Sequence, residues 1–190
     1  MVTPPESYAA RLEIDYPEKL DRFTTFFRLI WIIPISIVVS SLTAGVVFAT
    51  LLMIVFRQRY PRWWFDFARE YTRFVARVVA YCCLLTDQYP STVDEQSVHL
   101  EIDYPDVERD LNRWLPLVKW LLAIPHFIAL FVLGFIGFFV WVIAWFAILF
   151  TGRYPRALFD YLVGVNRWGL RVAAYVTLLV TDQYPPFSLK

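Results

Sequence analysis

Histidine and cysteine are nearly absent from this 190-residue chain, which has two of each. His99 flanks an alternating polar–apolar segment and His126 opens an apolar stretch, so the two are expected to sit apart. A catalytic triad or a metal cluster is hard to build from so few groups. Cys82 and Cys83 are adjacent, poorly placed to bridge each other, and read as small apolar filler. Phosphate-cradling glycine loops and the His-Glu-x-x-His pattern are missing as well. Charge is nearly balanced at +1, which argues against bulk nucleic-acid binding. Neither a metal nor a cofactor is expected, and the chain is expected not to be an enzyme.

Charged side chains are also missing from two long runs. Leu29–Phe56 and Trp120–Phe150 contain no Asp, Glu, Lys or Arg. Each exceeds the roughly 18 residues that mark a transmembrane candidate. The chain as a whole is 58% hydrophobic and 19% aromatic, against about 45–50% apolar residues in soluble domains. The first run starts too late, after a polar segment, to be a signal peptide. An integral membrane protein is therefore expected.

What is present is a duplication. Leu12-Glu13-Ile14-Asp15-Tyr16-Pro17 returns as Leu100–Pro105, Arg59-Tyr60-Pro61-Arg62 as Arg153–Arg156, and Thr86-Asp87-Gln88-Tyr89-Pro90 as Thr181–Pro185. The spacing grows only from 88 to 95 residues. The expected units are 1–95 and 96–190.

Each unit begins with period-two alternation, Arg11–Tyr16 or His99–Tyr104, the mark of a half-buried strand. Two lone strands are unstable in water, so these are expected to pair with each other or with the Asp-Gln-Tyr-Pro tails. Glu13 and Asp15, like Glu101 and Asp103, share the solvent side of their strand. Next come basic residues, Arg22 and Arg28 or Arg113 and Lys119, and an Ile-Pro step expected to kink the chain. The apolar run that follows is long for one crossing and short for two. Ser40, Ser41 and Gly45, and Gly134 and Gly137, stand in its middle and allow a helical hairpin, with one long tilted helix as the rival.

After Arg-Tyr-Pro-Arg comes an amphipathic helix. Trp64, Phe67, Tyr71, Phe74, Val78, Tyr81 and Leu85 recur every three or four residues, matched by Leu158, Tyr161, Val165, Trp168, Val172, Tyr175 and Leu179. The opposite face carries Asp66, Glu70, Arg73 and Arg77, or Asp160, Arg167 and Arg171. A helix of this kind crossing the bilayer would hold Arg73 and Arg167 near its centre, at about 2.5–3.5 kcal/mol each. An in-plane position avoids that cost. Arg73, Arg77, Arg167 and Arg171 are candidates for anionic lipid headgroups or partner contacts. Asp66 and Asp160 are candidates for helix-start or salt-bridge roles.

A strand and a tail in contact on one side of the membrane would make each unit cross an even number of times, so that the copies are parallel. The arginine-rich side, with strands, termini and amphipathic helices, is then expected to be cytoplasmic.

The run Ala123–His126, the stretch Trp141–Arg156, Leu158-Phe159-Asp160, Arg167-Trp168, Arg171–Tyr175 and the Thr181–Phe187 ending resemble a bacterial membrane-protein family catalogued as a domain of unknown function. The first unit resembles it more loosely, with Gln58 in place of the glycine before Arg-Tyr-Pro and Trp63-Trp64 in place of Ala-Leu. The resemblance implies a bacterial inner membrane and a tandem architecture. It implies no activity.

The expected fold is mainly α: two parallel tandem repeats, each with a short strand, a Pro-kinked apolar hairpin or long helix, and an amphipathic interfacial helix. The expected function is a non-enzymatic accessory or scaffold protein, a small subunit of a membrane complex, with membrane lipids and proteins as partners. Two alternatives stand beside it. One is a small transporter or channel between the repeats; the other is an interfacial protein that binds or modifies lipid.

Overall fold

The alternating hexapeptides form strands, and they pair with each other. In the computed structural model, which describes residues 8–190 with the side chain of Glu108 excepted, β1 (Ala10–Ile14) lies antiparallel to β2 (Val98–Ile102). The first seven residues lie outside the described residues, including the N-terminus expected on the cytoplasmic side. Leu12 pairs with Leu100, its own counterpart in the other copy. The ladder therefore reads the same from either strand, and a local two-fold axis passes through that pair, perpendicular to the sheet. Ala10, Leu12, Val98, Leu100 and Ile102 are buried on one face. On the other face Arg11 bridges Glu101 (3.1 Å) and Asp103 (3.0 Å), and His99 meets Asp15 (3.1 Å).

The helices are α1 (Arg22–Arg57), α2 (Arg62–Cys82), α3 (Val107–Asp110), α4 (Pro116–Leu122), α5 (Ile124–Thr151) and α6 (Arg156–Val176). Asp21 caps α1, its carboxylate accepting from the Thr24 amide at 2.8 Å. Of the two forms allowed for the apolar run, the long helix forms and the hairpin within the run does not. Ser40, Ser41 and Thr43 return their hydroxyls to the carbonyls four residues back, which lets the helix continue through them. Pro34 also lies inside the unbroken α1, whereas the second copy breaks at Ala123, between α4 and α5.

The hairpin forms one step later, between each apolar helix and its amphipathic partner. The Trp64 indole donates to Thr50 (2.9 Å), the Tyr71 hydroxyl to the Val39 carbonyl (2.8 Å), and Val78 and Tyr81 pack on Ile32 and Ile35. Thus α2 runs antiparallel along α1. In the second copy the Tyr161 hydroxyl reaches the Leu133 carbonyl at 2.8 Å and Trp168 reaches His126 at 3.0 Å, so α6 does the same along α5.

Three layers result. Tyr71 faces α1, and Arg73, about 200° further round the helix, faces β2, where it donates to the Leu100 carbonyl at 3.4 Å. The sheet covers one side of α2 and α6, and α1 and α5 cover the other. The two apolar helices run antiparallel: the Leu20 amide reaches the Gly152 carbonyl (3.0 Å), the Trp145 indole reaches the Thr25 carbonyl (3.2 Å), and Arg113 holds the Val55 carbonyl at the far end (2.7 Å).

Two helices, α1 and α5, are long and apolar enough to cross a membrane. Only 17% and 11% of their most apolar stretches are buried, unlike the core helix of a soluble domain. Phe23, Phe26, Ile30, Ile37, Phe48 and Phe56 of α1, with Phe131, Phe135, Phe139, Phe146 and Phe150 of α5, are exposed. Continuous apolar surface of this kind is the mark of a membrane or partner face.

Candidate functional site

The repeated motifs meet across the two-fold axis. Each strand lies on the amphipathic helix of the other copy, β1 on α6 and β2 on α2. Arg167 donates to the Leu12 carbonyl at 2.8 Å, as Arg73 does to Leu100. Tyr16, from the first copy's hexapeptide, donates to the Tyr154 carbonyl of the second, and Tyr104 donates to Tyr60 of the first at 2.6 Å. Both tyrosine rings stand edge-on to a phenylalanine of the opposite copy, Phe159 or Phe65, with centroids 5.0 Å apart. Arg156 and Arg62 lie over those same rings, at 4.5 and 4.7 Å. The two copies of the repeat therefore exchange their strands.

The four candidate arginines are brought to the sheet side of the amphipathic helices. Arg77 and Arg171 donate to the Ser91 and Ser188 carbonyls in the segments that follow their own helices. Arg73 also pairs with Glu70. All four guanidiniums thus hold backbone carbonyls in place. Burial lowers the pKa of Arg77 and Arg171, the expected penalty for taking a cation partly out of water.

Asp66 and Asp160 stand in salt bridges, and neither caps its helix. Asp66 lies 3.5 Å from both Arg62 and Arg69, and Asp160 lies 3.1 Å from Arg156. The caps of these helices are Pro61 and Pro155, which make no side-chain cap bond, and neither first turn holds an acid. The reason is position: both carboxylates sit one turn into their helices, beyond reach of the free amides.

Sequence reasoning passed over one buried pair in each copy. Arg28, 1% exposed, pairs with Asp87, donates to the Tyr81 and Thr86 carbonyls, and stands 4.3 Å above the Tyr81 ring. Lys119, fully buried, pairs with Asp182 at 2.7 Å, donates to the Thr181 carbonyl, and stands 4.8 Å from the Tyr175 ring. The aspartates also accept from the Asp21 and Asn112 amides, both at 2.6 Å. The signal was available: each tail repeats its aspartate, and each unit repeats a cation before its apolar run.

The copies differ at a few places. His126 is buried, accepts from the Trp168 indole and stacks on Phe187 at 4.0 Å; Ile35 and Phe74 occupy the matching places in the first copy. Cys82 and Cys83 are free thiols. Burial raises both, Cys83 to about 12, which keeps them protonated and unreactive. Among the described residues no three His, Cys, Asp or Glu side chains cluster as a metal site.

Fold and contacts together define a mainly helical tandem-repeat protein whose halves exchange strands across a two-fold axis. The chain belongs to the family described as Domain of unknown function (DUF4389), whose model matches it twice, over residues 22–93 and 114–188. Both matches begin after the exchanged strands, so the family pattern covers the paired helices and the tail. No curated protein and no solved structure matches the chain.

Proposed function

We propose that this chain is a non-enzymatic accessory protein seated in one leaflet of a membrane. In this reading α1 and α5 are submerged parallel to the membrane plane, and the charged sheet faces water. The observation that carries it is the layering: an apolar helix pair with most of its surface exposed lies directly opposite a sheet bearing Arg11, Glu13, His99, Glu101 and Asp103.

The reading replaces a multi-pass arrangement for a physical reason. The sheet runs along α2, with Tyr104 at Phe65, Leu100 at Arg73 and Ser97 at Thr86. If α1 and α5 stood across a bilayer, the two-stranded sheet would cross with them. Its open edges and carboxylates would then lie in hydrocarbon, where backbone groups without partners are not tolerated. Laid flat, the same molecule has its two-fold axis along the membrane normal, so the copies are parallel and share one side. The amphipathic helices take the interfacial level that suits them, and the arginine-rich side is the cytoplasmic one.

An accessory role follows from how the polar residues are used. The repeated arginines, aspartates and tyrosines hold the two copies together, and Glu13, Glu101 and Asp103 of the outer sheet face present carboxylates to a protein partner. Affinity purification of the full chain in mild detergent should recover a stoichiometric partner. Charge reversal at that face, Glu101→Lys with Asp103→Lys, should release it. Recovery of the bare chain alone would overturn the accessory role.

A further inference from the structure

Two apolar spaces lie one above the other near the two-fold axis. The upper, about 390 Å3, sits between α2 and α6 beneath β1, against Leu12, Val75, Val79, Gly169 and Ala173. The lower, about 430 Å3, lies between the apolar helices, against Leu29, Gly134, Phe138 and Trp141. Val165 and Asn166 line both. Each is within the range of roughly 300–1,000 Å3 typical of ligand sites.

The walls are almost wholly apolar, and two of their polar groups are already paired. The Thr72 hydroxyl of the upper space donates to the Ala68 carbonyl at 2.7 Å, and the Asn166 amide donates to the Leu162 carbonyl at 2.8 Å. No lysine, arginine or carboxylate lines either space. Leu29 and Phe138 of the lower space are exposed, on the two helices that lie opposite the sheet.

Two further observations favour a kept space over loose packing. Gly134 and Gly169 line it, and a Cβ on either would meet nothing within 4 Å. Glycine weakens a helix relative to alanine, and here no close approach of backbones requires it. In the first copy the matching room is filled: Tyr71, the counterpart of Val165, puts its ring there and binds Val39 and Thr43.

We propose that these two spaces together form a binding site for one acyl chain of a membrane phospholipid, entering from the leaflet between α1 and α5 and ending beneath the sheet. The inference rests on the seating proposed above, because it needs Leu29 and Phe138 to face hydrocarbon. The ligand class follows from the lining: long, flexible, apolar and without charge along its length.

The test uses the full chain in detergent and the fluorescent fatty acid cis-parinarate as probe. Wild type and Gly45→Leu, a control glycine in equally open space on α1 but away from both cavities, should bind it saturably at about one per chain. Gly134→Leu and Gly169→Leu should bind at least tenfold more weakly. If either fails to fold by circular dichroism, Val165→Tyr, which copies the first unit, takes its place with the same expected loss. Equal binding by wild type and the filled variants, or wild-type uptake that never saturates, would overturn the site. Flotation of the same proteins with phosphatidylethanolamine–phosphatidylglycerol vesicles keeps the two proposals apart. A failed site leaves every variant afloat, whereas a failed seating leaves the wild type at the bottom of the gradient.

Discussion

Arg73 and Arg167 each commit a guanidinium to a leucine carbonyl in the opposite copy's strand, which explains why an arginine recurs there. The same logic covers Tyr16 and Tyr104, whose hydroxyls cross to the other copy's Arg-Tyr-Pro turn. Where the copies differ, backbone geometry gives a direct prediction. Gln58 ends α1 at φ 49°, while its counterpart Gly152 ends α5 at φ 72°. A side chain in the left-handed region costs about 1–2 kcal/mol. Gln58→Gly should therefore stabilise the protein by about 1 kcal/mol, read as a rise of about 2–4 °C in thermal melts. The thiols give a second. With Cys83 held near pKa 12, its thiolate fraction at pH 8 is roughly one in ten thousand. Iodoacetamide should leave Cys83 unmodified in the folded protein and alkylate it only after unfolding, as peptide mass spectrometry would show.

At the scale of elements, the strand, the amphipathic helix and its phase were legible because period-two and period-3.6 patterns are written locally. The partner of each strand was not. That Leu12 lies on α6 and not on α2 depends on contacts more than 150 residues apart in the chain, and no local pattern records them. The choice between a hairpin and one long helix in the apolar run was open for a related reason: serine and glycine lower helix propensity, but back-bonded hydroxyls and surrounding helix override so weak a preference. The buried pairs tie α1 and α4 to the tails. Replacing Asp182 by Asn strands the Lys119 ammonium at 0% exposure. The cost should be about 3 kcal/mol, the lower end for a broken buried pair, because Asp182 keeps 21% of its side chain in water. Adding Lys119→Met should recover most of that loss in a denaturant titration. Arg167→Ala should loosen β1 alone, seen as faster amide exchange at the strand with little change in α5.

At the scale of the molecule, the apolar runs became two long helices with most of their surface exposed, and their length alone fixes no orientation. A helix long enough to span is also long enough to lie flat, and hydropathy reads the same in both. Orientation depends on what packs along the helix. Here that is an amphipathic helix under a charged sheet, and the pairing of Leu12 with Leu100 makes the two ends of the bundle equivalent.

The most direct test places single cysteines at the two ends of α1, Lys19→Cys and Arg59→Cys, in a background carrying Cys82→Ser and Cys83→Ala. Sealed vesicles of known orientation are then treated with a membrane-impermeant maleimide. A helix lying in one leaflet exposes both positions to the same side, so both should label together in one vesicle orientation and neither in the other. Labelling of the two positions from opposite sides would contradict the account, because it would mean that α1 crosses the membrane.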